Sequence, residues 1–533
     1  MMTHEQGSDG GSNNLPLVAI ALLVAVYIVA VAMGTPAALF GPKGDGHAST
    51  EHSATDPEHA ATAERAEPAN HLKKNAPPAY VWVLPFMLLL LAIAVLPLVP
   101  HVNHWWESNL HRFYVAGGLG LLTLAYYAFA HPHPIDAHWP AHDVVTPLES
   151  GISWQMAWTV FSNSMLGEFI PFIVLLFSLY TISGGIRIEG DLRAHSLTNA
   201  TFIGIGTVLA SFIGTTGAAM LLIRPLIETN RERKHVKHTV VFFIFAVCNC
   251  GGLLLPIGDP PLFLGYLRGV PFLWTMNLIG PWLFVNTSLI VVYLLLDHFY
   301  FYPREKKSDI VRDESQVRRL QFRGMLLNGI LLLCVILSVA LLDPSKPLPG
   351  TNWHAKMYLR EIVQLSLVGI SLLLGAKSVR VDNKFNYGAI IEVAALFCGI
   401  FICMQPALQI LDVAGPRLGV DTPMKFFWAS GSLSAVLDNA PTYVVFFETA
   451  KTVTTPEMGP VASTGVGAAF LMAVSLGSVF MGAMTYIGNG PNFMVKAVAE
   501  KGGVQMPSFF GYMVYSCTIL LPILVVMTLI FLR

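Results

Sequence analysis

The heptapeptide Ile257-Gly258-Asp259-Pro260-Pro261-Leu262-Phe263 returns 230 residues later as Ile487-Gly488-Asn489-Gly490-Pro491-Asn492-Phe493. Each copy interrupts a long apolar run with Gly258, Pro260, Gly488 and Pro491, residues that free the backbone from helical pairing. In hydrocarbon, irregular polar backbone survives only where it is buried in protein or lines a cavity. Matched interruptions in two halves of one chain therefore predict a duplicated membrane protein whose broken helices meet at a binding site, the pattern of a secondary transporter.

Composition agrees with that class. Of 533 residues, 54% are hydrophobic and 12% charged, too apolar for a soluble surface. A net charge of -1 leaves no basic footprint for nucleic acid. The six cysteines, Cys248, Cys250, Cys334, Cys398, Cys403 and Cys517, lie in or beside apolar runs without metal-ligand spacing and read as small core residues.

The fold expected is an all-α polytopic membrane protein of two inverted repeats, each with a re-entrant hairpin and a broken transmembrane helix. It would have about 11 spans plus two hairpins, counting an N-terminal helix in residues 1–34. Residues 35–79, rich in Ala, His, Glu and Pro, read as a disordered linker, with His47, His52, His59 and His71 simply solvated. The first repeat is expected over 80–303, with its hairpin at 199–227 and its broken helix at 239–269. Both hairpin limbs look too short for a full crossing. A basic connector follows at 304–324, then the second repeat over 325–533, with hairpin 425–450 and broken helix 464–498.

Arg187, Arg193, Arg231, Arg233, Lys234 and Lys237 flank the first hairpin and assign its ends to the cytoplasm, whereas the flanks of the second are poor in Lys and Arg. This predicts a multi-pass protein of the inner (plasma) membrane, with the N-terminus cytoplasmic and the linker and C-terminus outside.

Where a helix stops inside the membrane, its free carbonyls attract cations and its free N–H groups attract anions. Asp438, with Asn439 and Thr442 at the tip of the second hairpin, is the sharpest candidate, because an ionisable group at mid-bilayer costs about 2.5–3.5 kcal/mol on insertion scales. Asp is also a good N-cap, so capping is the competing role. Asp259 and Asn489 hold equivalent places in the two loops, with Asn492 close behind. Thr215 and Thr216, between Gly214 and Gly217 at the first hairpin tip, offer hydroxyl ligands, although Thr in an apolar helix often bonds its own backbone. Glu168, Glu392 and Glu448 sit near the ends of apolar segments, where a proton relay and an interfacial role are both open. Arg224 reads as a snorkelling side chain.

Gly-Thr-Thr-Gly-Ala-Ala-Met-Leu-Leu-Ile-Arg-Pro at Gly214 to Pro225, with Leu437-Asp438-Asn439-Ala440-Pro441-Thr442, resembles the ion transporter superfamily, in particular its branch of arsenite pumps and NhaD-type sodium/proton antiporters. The resemblance covers about Tyr80 to Arg533. It implies a scaffold, a moving transport domain that holds both hairpins, and often a homodimer. Carboxylate-transporting members typically carry Ser-Asn-Thr at each tip, where this chain has Thr215-Thr216-Gly217 and Asp438-Asn439-Ala440.

The function expected is Na⁺/H⁺ antiport by alternating access, with Na⁺ and H⁺ competing at Asp438. The alternatives are Na⁺-coupled uptake of citrate or another di- or tricarboxylate, and arsenite efflux. A channel would need a continuous polar pore, and a hydrolase a nucleophile with its base; the sequence presents neither pattern. No cofactor is expected beyond the transported ions, and the partners expected are the lipid bilayer, Na⁺, H⁺ and a small anion, with no nucleic acid.

Overall fold

A computed structural model describes residues 78–99, 102–137, 143–148, 151–315, 317–344, 346–348, 350–461 and 464–533. The expected N-terminal helix and all but the last two residues of the expected linker lie outside these. The fold is almost entirely helical, with two short antiparallel ribbons, one pairing Arg187–Asp191 with Arg318–Arg323 across the basic connector.

Among the described residues, four helices are long and apolar enough to cross a membrane: Trp154–Ser183, Ser196–Ile213, Trp274–Arg304 and Phe509–Phe531. A fifth crossing exists if Gly388–Cys403 and Gln405–Leu418, bent by 43° next to Pro406, count as one. Other apolar helices, among them Tyr80–Val95, Met325–Leu341 and Ala468–Met484, are shorter. This is fewer continuous spans than the pattern of apolar windows suggests. Hydropathy registers an apolar stretch whether or not a turn or a 3₁₀ segment divides it, so windows outnumber unbroken helices. One expectation is also corrected: the first limb of the first hairpin begins at Ser196, not Asn199. At 18 residues it is long enough to cross, reaching about 27 Å at ~1.5 Å per residue.

The packing divides into two groups. Asn109–Phe129 packs on Gly388–Cys403, while Ile170–Ser183 packs on Met325–Leu341 and Leu359–Leu374. The second group comprises the hairpins, the interrupted helices and the flanking Trp274–Arg304 and Phe509–Phe531. Many large apolar side chains on these outer helices, including Leu121, Leu283, Leu295, Phe510 and Val514, are exposed, a surface that a bilayer would cover.

Both interrupted segments are built alike. In the first, Lys237–Ala246 gives way to a 3₁₀ turn at Cys250–Leu253 and restarts at Pro260–Leu267. In the second, Ala468–Met481 gives way to Gly482–Met484 and restarts at Gly490–Lys501. Proline in the first turn of each restarting helix costs nothing, because those N–H groups have no intrahelical partner. The loops close on paired glycines. A Cβ on Gly258 would stand 2.2 Å from the carbonyl oxygen of Gly252, and one on Gly488 would stand 2.5 Å from that of Gly482.

Each hairpin breaks for a local reason. Ser196–Ile213 and Thr215–Thr229 are separated by Gly214 at φ 78, a conformation that side chains disfavour. Pro423–Val436 and Asn439–Val453 are separated by extended Leu437 and Asp438. First limbs lie along the interrupted segment that follows them in the chain, fastened by a serine hydroxyl: Ser211 Oγ donates to Gly251 O at 2.5 Å and Ser434 Oγ to Ser478 O at 2.7 Å. Second limbs lie along the restarting helix of the other half, Thr215–Thr229 on Gly490–Lys501 and Asn439–Val453 on Pro260–Leu267. This crossing brings all four chain breaks together.

Candidate functional site

Asp259 occupies the N-cap position of Pro260–Leu267 with extended backbone, but its carboxylate bonds no amide of its own helix. It reaches across the break instead. Oδ1 accepts from Thr215 Oγ at 3.1 Å and from Asn489 Nδ2 at 3.0 Å, and Oδ2 accepts from Asn439 Nδ2 at 2.7 Å. One buried carboxylate thus joins both hairpin tips and both interrupted segments. The loop backbone joins in, since Thr215 N donates to Gly258 O at 2.9 Å.

Asn489 occupies the matching N-cap position and is likewise free of capping; Nδ2 also donates to Cys248 O at 3.0 Å. Asn492 Nδ2 donates to Gly482 O at 2.9 Å and to Thr485 O at 3.0 Å. Its Oδ1 accepts from Asn249 Nδ2 at 2.8 Å. Asn249 is a site residue that the sequence reading passed over. Its signal was a single amide inside the apolar run before Gly251-Gly252, overshadowed by the more conspicuous loop ten residues on.

The amide orientations are fixed by their donors. Asn439 Nδ2 faces the Asp259 carboxylate and Asn249 Nδ2 faces Ile244 O at 2.9 Å, so both Oδ1 atoms point elsewhere. Among the described residues neither buried oxygen has a hydrogen-bond donor. Leaving a buried polar atom unpaired costs about 1–3 kcal/mol, so two such oxygens among the chain breaks are groups that a bound cation would satisfy. The two side chains border one small space: a point one Cβ length from Gly482 is 3.2 Å from Asn249 Oδ1, 3.2 Å from Gly488 O and 3.6 Å from the amide nitrogen of Asn439. Carboxylate, amide and carbonyl oxygens are hard ligands suited to hard cations.

The remaining candidates are placed differently. Asp438 is half-buried and caps Asn439–Val453, with Oδ1 accepting from Ala440 N at 3.0 Å. Thr442 Oγ donates back to Asp438 O at 3.0 Å, the local bond expected of Thr in a helix. Thr216 is half-buried beside Thr215 and makes no hydrogen bond to Asp259. Gly217 faces Ser183 of the helix Ile170–Ser183, bringing the first hairpin tip against the other helical group.

The peripheral carboxylates are paired by arginines. Arg268 Nη2 donates to Glu168 at 2.8 Å and its Nε lies 3.4 Å from Glu448, while Arg112 pairs with Glu392 at 2.9 Å. Arg224 lines a cavity of about 360 Å³ with Arg187, Arg318, Glu189 and Glu228.

Residues 130–532 match the family model described as "Putative citrate transport". No curated protein sequence matches the chain. The match extends to the superfamily whose motifs the sequence resembles and not to its arsenite or NhaD-type branch. A helical chain with several membrane-length segments, matched from before its first long span to its last helix, belongs to the citrate-transport family of the ion transporter superfamily, a family of membrane transport proteins.

Proposed function

We propose that the protein is a secondary active transporter that exchanges Na⁺ for H⁺ by alternating access, with Asp259 as the carboxylate at which the two compete. The observation that carries this reading is the buried Asp259 carboxylate that joins both hairpin tips and both interrupted segments, with donor-free amide oxygens on Asn439, which bonds it, and on Asn249, in the segment broken just before it. Among the described residues Asp259 has Thr215, Asn439 and Asn489 as hydrogen-bond partners and no Lys or Arg. With no fixed positive charge to balance it, the carboxylate is left for a proton or a metal cation to neutralise. Replacement of one by the other keeps the charge of the site constant, so the loaded unit crosses the membrane with either. Asp438, at the adjacent hairpin tip, is proposed to guide the cation towards this cluster rather than to hold it.

A second reading, Na⁺-coupled uptake of citrate or a related carboxylate, is favoured by the family match. Cation loading at Asp259 would then precede anion binding, because a bare carboxylate repels a polyanion in a low-dielectric site.

Proteoliposomes with a lumenal pH dye separate the two. External Na⁺ should alkalinise the lumen for the wild-type chain without citrate, and D259N should lower that response at least about a hundredfold, the usual scale for removing an essential proton-transfer group. Sodium-driven proton flux that survives D259N would refute the assignment. Sodium-dependent accumulation of labelled citrate without proton movement would transfer it to the second reading.

A further inference from the structure

A second polar feature lies away from the Asp259 cluster, beneath the basic loop that follows the first hairpin. A cavity of about 500 Å³ opens there. Its basic wall carries Arg231, Arg233, Lys234, His235, Lys237 and His238, and no Asp or Glu lines it.

Not all of these cations are available. Arg233 makes a two-pronged pair with Asp297 at 2.6 and 3.1 Å, and His238 Nε2 lies 2.8 Å from the same carboxylate. Glu305 accepts from the backbone amides of Lys234 and His235 at 2.9 and 2.8 Å, fixing the loop. Its carboxylate holds main chain, so the Lys234 side chain is left free of it. Arg231, Lys234 and Lys237 are exposed, and among the described residues the one ion pair of their charged groups is the 3.9 Å contact of Arg231 with Glu228. Lys234 and Lys237, which pair with no acid side chain among the described residues, and Arg231, with its one long exposed contact to Glu228, thus line one concave surface, a concentration of charge that attracts a multiply charged anion.

The rest of the lining narrows the ligand. Ile227, Phe301, Val504 and Tyr515 give the cavity apolar and aromatic walls beside the cations. Basic pockets between membrane helices on the cytoplasmic side are fitted to phosphate head groups, and the loop charge assigns this face to the cytoplasm. We infer that this cavity is a phosphate-binding site, filled by the head group of an anionic phospholipid or by a soluble phosphate.

Its position gives occupancy a consequence. Ile227 and Asn230 lie at the end of the hairpin limb that begins at Thr215, and Gly502 to Gln505 follow the helix Gly490–Lys501, which starts just after Asn489. A phosphate held between them would pin the inner ends of two elements whose other ends meet at Asp259.

The test uses the full chain purified in detergent, titrated separately with short-chain phosphatidylglycerol, short-chain phosphatidylcholine and inorganic phosphate, with thermal shift and native mass spectrometry as readouts. Saturable stabilisation by phosphatidylglycerol over phosphatidylcholine supports a lipid site, and stabilisation by inorganic phosphate alone supports a soluble ligand. In either case R231A/K234A/K237A should weaken apparent affinity roughly tenfold or more, and the charge-preserving R231K/K234R/K237R should restore it to within a few-fold, since each cation near an anionic head group contributes measurably. The charge-preserving variant also controls for folding. Equal responses of the wild type and the alanine variant, or no response to any probe, would overturn the proposal.

Discussion

Asp259 and Asp438 contrast two fates for a carboxylate at a helix start. Asp438 bonds Ala440 N in its own helix, whereas Asp259 leaves its helix uncapped and takes donors from three other segments. The cost of the missing cap, about 1 kcal/mol, is offset by bonds that tie the site together. D438N should therefore cost transport on the order of tenfold or less, because an amide oxygen still caps a helix, while D259N should abolish it; comparison of both variants in the pH-dye assay checks the ranking. Asn249 is expected to matter more than its silence in the sequence suggests: N249L should raise the half-saturating Na⁺ concentration by about tenfold, on the order of one lost ligand interaction.

Asp191, in the ribbon strand outside the membrane segments, has its carboxyl pushed up to about 6 by burial and by the charges of Glu232, Glu228 and Asp313, against the opposing pull of Arg318. Below about 4 the group is neutral whether folded or unfolded, and between about 4 and about 6 only the folded chain retains the proton. Its contribution to stability therefore declines as pH rises through that window. D191N should flatten the acid side of the thermal-stability profile and raise stability at neutral pH by on the order of 1 kcal/mol after allowance for screening.

At the scale of elements, the two interrupted helices owe their shape to glycine. Added side-chain bulk at Gly258 would meet the backbone carbonyl of Gly252, an atom that cannot rotate away. G258A should destabilise the chain by about 1–3 kcal/mol, the range for forced overpacking, and displace Asp259 from Asn489, so that stability and transport fall together. Gly490, where an added Cβ meets nothing within 4 Å, is the control: G490A should leave melting temperature nearly unchanged. A large loss from G490A with none from G258A would show that loop closure is held by something other than the glycine contacts.

At the scale of the molecule, Arg268 joins the two helical groups. It follows the helix Pro260–Leu267, bonds Glu168 in the long helix Trp154–Ser183, and lies beside Glu448 of the second hairpin. If the site-bearing group moves against the other during transport, the Arg268–Glu168 contact must break and re-form while Arg268–Glu448 travels as a unit. R268M leaves two carboxylates in a poorly solvated position and should cost about 3–5 kcal/mol. E168Q takes the charge out of the contact between groups, and is expected to change the ratio of the two orientations, measured by cysteine accessibility from either side, with a smaller loss of stability. Unchanged accessibility in E168Q would exclude Arg268 as a latch.

The sequence by itself determined the local events. Glycine and proline in apolar runs set where helices stop, the repeat at fixed spacing set that this happens twice, and the motifs around Gly214 and Asp438 carried the superfamily resemblance. These were legible because a helix end depends on a few neighbouring residues. What only tertiary structure decided is which oxygens meet. Asp259 and Asn489 lie 230 residues apart, and Asp259 and Asn439 180 apart. Their contact follows from second limbs packing on the opposite half. The same holds for Arg268 with Glu168 and for Asn249 with Asn492, because a side chain's partner is set by how helices cross and not by its neighbours in the chain.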